Sequence, residues 1–278
     1  MLGVVTGLKS EAKLLRGTEL ACISTGGRAH IARAKIDRLI GGGVRGLISF
    51  GIAGALSPDL KTGDLVIADT ITNDIGEVWR THELWVEALV SSARAPNNHR
   101  ADDAPHHAAS RRSEGHATPG PSWSLRDDGS EEPAPQSPKP SVTSAVRPGP
   151  SNDGRRDVRV GGILGLDRML SSPRDKADAL ARRGALCVDM ESHHVARAAA
   201  ESGLPFITVR AVSDQANEVL PAVMASFVDE QGQTKMSAVL AALILGRVGL
   251  GSLLQAGRAS KRAHQALLRC RGALAGLG

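Results

Sequence analysis

Acidic side chains in this chain gather where apolar, strand-like runs come to an end. "LGVVTG" runs into "LKSEAKLL", which offers Glu11; "GALC" runs into Asp189, Met190 and Glu191; "FITVRAV" runs into Ser213 and Asp214. Carboxyl groups in such places can hold sugar hydroxyls, draw a proton from water, or hand one to a leaving group. Each also has a plainer use. Glu11 serves equally as a first-turn helix residue, Asp189 or Ser192 as an N-cap, and Ser213 or Asp214 as the cap of a following helix. Taken singly, the plain use prevails, because caps are common at helix starts. Three distant segments delivering acids to strand ends is the more specific signal.

The elements that must position these groups are legible from pattern. β-leaning runs cover 2–6, 20–25, 46–50, 64–70, 158–165, 184–190 and 205–213. Helical patterns fall at 28–40, 82–93, 173–183, 192–202 and 237–245. Near-continuous apolar strands alternating with helices predict an α/β domain with a mostly parallel sheet covered on both faces. In such sheets ligands collect at the carboxyl ends of the strands, where the acids lie. The glycine-rich "GIAGAL", Gly51 to Leu56, is read as a turn after the third strand.

Composition narrows the function classes. The chain has 278 residues, 41% hydrophobic, enough for a real core. Aromatic residues make up only 2%, with no tyrosine, which argues against an aromatic platform for nucleic acid. Three widely spaced cysteines, Cys22, Cys187 and Cys270, fit reduced thiols in a cytoplasmic protein. Ten of the fourteen prolines fall within 95–157, a tract poor in aliphatic residues that is expected to be a disordered insertion. Its four histidines, His99, His106, His107 and His116, are spaced irregularly and read as solvated. The net charge is +5, but the segment after Glu230 holds seven cations and no acid, so the basicity belongs to the C-terminal tail, taken here as 247–278. A helix over 252–274 places Ala256, Ala259, Ala263, Ala266, Leu267, Cys270 and Leu274 on one side and Arg258, Lys261, Arg262 and Arg269 toward the other. Packing of that small-residue stripe on the domain is the expected role; peripheral docking at the inner membrane face is the alternative.

"GIAGAL…GDLVIAD", then "VDMES" leading into a helix, then "LPFITVRAVSD" resembles the nucleoside phosphorylase and nucleosidase superfamily, across about 1–94 and 158–230. Within it, "TGLKSEAKLL", "GEVW", "LDRMLSSPRDKADAL" and the basic tail are most similar to the hopanoid-associated phosphorylase branch. The resemblance implies a three-layer α/β/α sandwich, a homo-oligomer, no cofactor, and cleavage of the bond between ribose and adenine. On it, Asp214 is the general acid toward purine N7, a role that calls for a carboxyl kept protonated by its surroundings. Glu191 accepts from the ribose hydroxyls, Met190 packs on the sugar, Ser213 belongs to the substrate-binding set, and Met169 stands where relatives offer an aromatic ring. Gly51, Ile52 and Gly54 line the substrate, with Ile52 where a hydroxyl residue is common. Glu11 matches the residue that activates water in nucleosidases. A phosphorylase instead needs donors for inorganic phosphate, for which Arg28 and the Gly51–Gly54 amides are the candidates; water and phosphate both remain open as nucleophile. The implied substrate is adenosylhopane, a lipid-linked nucleoside, or a small 5′-thioadenosine; a weakly active nucleoside-binding protein is the third reading. No metal is expected: adjacent helical residues such as His193 and His194 diverge by about 100°, which keeps both from facing one ion easily.

Overall fold

The computed structural model describes residues 1–26, 29–94, 157–220 and 249–277, all within one compact unit formed by Met1–Ala95 and Pro148–Gly278. The expected insertion at 95–157 (apart from Asp157), the helix at 237–245 and Arg28 lie outside the described residues. Eight strands are described: β1 Gly3–Thr6, β2 Ala21–Ser24, β3 Leu47–Ala55, β4 Leu65–Thr72, β5 Val78–Arg80, β6 Val158–Gly165, β7 Cys187–Asp189 and β8 Phe206–Asp214. The helices are α1 Lys9–Leu14, α2 Ala29–Gly41, α3 Glu83–Arg94, α4 Pro173–Arg183, α5 Ser192–Glu201 and α6 Leu250–Ala275.

The strands form one mixed sheet in the order β2-β1-β3-β7-β6-β4-β5, with β8 pairing to both β3 and β4. Parallel pairings dominate, as expected. The addition is β8, parallel to β3 and antiparallel to β4, which closes β3, β7, β6, β4 and β8 into a barrel-like ring. Alternation along each strand feeds two cores. Val5, Leu47 and Val66 face one layer with α2 and α5 residues such as Ile36 and Val195. Val4, Ile48 and Ile67 face the other with Leu89 of α3 and Leu267 of α6. This is the three-layer arrangement.

Local signals explain the boundaries. Ser172 caps α4 by accepting from Asp175 N–H at 3.1 Å, Pro173 opens it, and Gly184, left-handed at φ 64°, ends it. That glycine also corrects the strand expected over 184–190: only Cys187–Asp189 pairs. In α6, Ala263, Ala266, Leu267, Cys270 and Leu274 are all at most 1% exposed, while Arg258, Lys261, Arg262 and Arg269 face solvent. The tail is therefore a core element. No helix among the described residues is long and apolar enough to cross a membrane.

A second correction concerns "GIAGAL". β3 does not stop at Phe50; it continues through Ala55, Gly51–Gly54 pairing with β8 and Gly54–Ala55 with β7. The glycines are needed for what crosses above them rather than for a turn.

Candidate active site

A cavity of about 250 Å³ opens at the carboxyl ends of β1, β6, β7 and β8 and over the second half of β3. Glu11, Glu191 and Asp214 line it, together with Ile52, Gly54, Met169, Met190 and Ser213. Of the residues expected from sequence, Gly51 is not among those lining the cavity, and Arg28 is outside the described residues.

Each acid rests on a glycine of another strand or its end. A Cβ on Gly51 would stand 2.7 Å from Glu11 Oε1, one on Gly54 2.8 Å from Asp214 Oδ2, and one on Gly7 2.7 Å from Glu191 Oε1. Any side chain there would push a carboxylate out of place. Ser213 and Asp214 are consecutive, yet both reach the cavity. The reason is a bulge: Ala53 pairs with Val212 and Gly54 with Asp214, leaving Ser213 as the extra residue that re-aims the strand end.

Glu11, 2% exposed, is held by Leu8 N–H at 2.8 Å on Oε2 and Ile52 N–H at 2.9 Å on Oε1. Burial raises its carboxyl above the ordinary range, against the two N–H donors and Arg210, which pull it down. The Ile52 amide is thus committed to Glu11 rather than free for phosphate. Burial first, then the charge of Asp189, pushes Glu191 up to about 8. In its protonated form it can donate one hydrogen bond and accept another.

Arg210, which the sequence reading missed, ties this acid group together. It is 1% exposed on β8; its Nε pairs with Asp189 Oδ2 and its Nη2 donates to Ser49 Oγ at 2.6 Å. Burial opposes its charge, but Asp189, Glu191 and Glu11 around it hold its pKa above the usual value. One guanidinium serves three acids, and burial, which it only partly offsets, is why Glu11 and Glu191 hold protons more tightly than usual. Asp189 is the cap expected of it: Oδ1 accepts from Ser192 N–H at 3.1 Å and Ser192 Oγ at 2.6 Å.

Asp214 departs from expectation. Its Oδ2 accepts from Lys176 Nζ at 2.6 Å, and its Oδ1 lies 2.7 Å from Ser213 Oγ. Lys176, on α4, is fully buried, with its other donors on Gln215 O at 2.8 Å and Glu218 O at 3.3 Å. The surroundings thus give Asp214 a buried lysine partner. A lysine in helical register with buried Ala179 and half-buried Leu180 was the signal available in the sequence.

The Glu191 shift has a consequence for stability. The folded chain keeps a proton that the unfolded chain gives up near 4.5, so folding stability falls as pH rises from 4.5 to about 8, by up to ~1.4 kcal/mol per pH unit. Urea midpoints measured across that window should decline for the wild type and decline less for Glu191→Gln. Parallel curves would contradict the burial argument.

Residues 9–245 match the model of the phosphorylase superfamily. This chain belongs to that superfamily. It is an enzyme of the nucleoside phosphorylase and nucleosidase type, and the α/β fold is the one its solved members share. No curated protein is significantly similar in sequence. Among solved structures, S-adenosylhomocysteine nucleosidase from Streptococcus pyogenes, bound to 5-methylthiotubericidin, aligns with TM-score 0.57 and 17% identity over 100% of this chain and 97% of its own. The Helicobacter pylori 5′-methylthioadenosine/S-adenosylhomocysteine nucleosidase with 5′-methylthioadenosine in its active site aligns at 0.53 and 14%, over 88% and 98%. Futalosine hydrolase of Helicobacter pylori aligns at 0.52 and 15%, over 88% and 97%. At these identities the likeness to superfamily members is one of fold.

Proposed function

We propose that the protein hydrolyses the N-glycosidic bond of a 5′-substituted adenosine, releasing adenine. The observation that carries this reading is the convergence of Glu11, Glu191 and Asp214 on one cavity, each seated over its own glycine. Gly51 and Gly54 are three residues apart on β3, so Glu11 and Asp214 bracket about 10 Å of strand, the scale of a ribose joined to its base. Cleavage builds positive charge on the sugar and negative charge on the base. Glu11, its carboxyl made more basic by burial, orients and deprotonates the attacking water. Glu191 clamps the ribose hydroxyls, and Met190 packs beside it. At the other end, a proton moves from Lys176 Nζ to the Asp214 carboxylate, leaving both neutral, and Asp214 then passes it to the departing purine nitrogen. As product leaves, Glu11 gives up the proton taken from water and Lys176 recovers one from solvent.

Water rather than phosphate is favoured because four acids line the cavity, and Arg168 is the single cationic side chain lining it among the described residues. The 5′ substituent is the hopane side chain of adenosylhopane, on the motifs shared with the hopanoid-associated branch. The methylthio group is the second reading, supported by the nucleosidases whose fold the chain shares. The test is adenine release from adenosylhopane, 5′-methylthioadenosine, S-adenosylhomocysteine and futalosine, each with and without phosphate. Release from an adenosine substrate without phosphate, and not accelerated by it, is expected. Strict phosphate dependence would overturn the hydrolytic assignment, and no release from any of them the reading as a whole.

A further inference from the structure

We propose that Asp167, His193 and His194 form a binding site for a divalent transition-metal ion of the zinc type, beside the nucleoside cavity. None of the three lines that cavity. Asp167 follows β6, and the histidines occupy the first turn of α5. The expectation that adjacent helical residues cannot address one point is not met. The rings lean together, with centroids 3.9 Å apart, and the reach of the imidazoles overcomes the angle between their Cβ directions. His193 Nε2 is 3.0 Å and His194 Nε2 2.8 Å from Asp167 Oδ1, and the three ligand atoms all lie within 4.8 Å of one another.

Two imidazole nitrogens and one carboxylate oxygen suit zinc, cobalt or nickel, and are the wrong donors for calcium or magnesium. Tetrahedral coordination at zinc bond lengths sets donors about 3.3 Å apart. For each histidine–carboxylate pair, reaching that spacing needs only a few tenths of an ångström of movement, and the set is built to supply it. The His193 side chain is 7% exposed and that of His194 14%, whereas that of Asp167 is 60% exposed and free to draw back. His193 is fixed further by Gly165, where a Cβ would stand 2.4 Å from its Nδ1. Each Nε2–H now donates to the Asp167 carboxylate, so an ion takes that place once the proton has left Nε2; for His193 the other nitrogen, Nδ1, is buried with no hydrogen-bond partner and is open to receive it. The exposed side leaves room for water to complete the shell. Bound there, the ion ties the loop carrying Met169 and Leu170 to the start of α5, next to Glu191, bracing two walls of the cavity.

The experiment is calorimetric titration of the chelator-treated full chain with zinc chloride, alongside His194→Ala and Asp167→Ala. The wild type should take up one equivalent that both variants bind at least about tenfold more weakly. Zinc should raise the Tm of the wild type alone, while the zinc-free Tm of each variant reports that it has folded. Cobalt at the same site should show the visible ligand-field bands of a tetrahedral ion. No uptake, or equal uptake by all three proteins, as binding by histidines of 95–157 would produce, overturns the proposal.

Discussion

Asp214→Asn is expected to lower kcat for adenine release by about 10²–10⁴, the range that a positioned proton donor contributes, while KM changes far less. The amide keeps the shape and can still accept from Lys176, but it cannot carry a proton to the base. Lys176→Met, which fills a similar volume, should lower kcat in the same direction by about 10², because the nearest proton source of Asp214 is gone. Steady-state assays of the two variants and their combination check both. Since the residues act on one proton, the double variant should be little worse than Asp214→Asn alone. Wild-type rates in Asp214→Asn would sink the assigned mechanism, and multiplying defects would remove Lys176 from the proton path.

Arg210→Met should reduce folding stability by about 3–5 kcal/mol, read from urea unfolding. The substitution leaves Asp189 fully buried without its ion pair and takes the nearest cation from Glu11 and Glu191. Pairing it with Asp189→Asn should restore part of the loss, since the pair is then removed rather than broken, although the cap on Ser192 weakens. A loss under about 1 kcal/mol for the single variant would show that other groups neutralise this cluster.

These two residues mark the boundary of what the sequence discloses. Glu11, Glu191 and Asp214 could be picked out because each follows an apolar run, and the periodicity that places them is local. Arg210 and Lys176 could not be assigned partners by the same means. Their contacts run from Arg210 to Ser49 across 161 positions and from Lys176 to Asp214 across 38, and only the folded sheet brings them together. The bulge at Ser213 is invisible for a similar reason: it is a mismatch between two strands, not a property of either. "GIAGAL" was misread because glycines announce turns more often than they make room for a carboxylate passing overhead. Three-residue β5 is too short to show any alternation. The histidine pair was excluded on angles between Cβ directions, whereas ring reach decides where its nitrogens meet.

The placement of α6 reaches beyond packing, into how the polypeptide comes to be folded at all. Leu2 and Val4 share a core with Leu267, Cys270 and Leu274, which are made long after them. β8, which closes the ring, lies between β3 and β4, both made more than a hundred residues earlier. Synthesis at about 5–20 residues per second therefore leaves β1 to β4 waiting with uncovered apolar faces until α6 has been made. Removing that helix to dispense with a basic tail would leave the same faces permanently open, so a C-terminally trimmed protein is an aggregation-prone intermediate rather than a smaller enzyme.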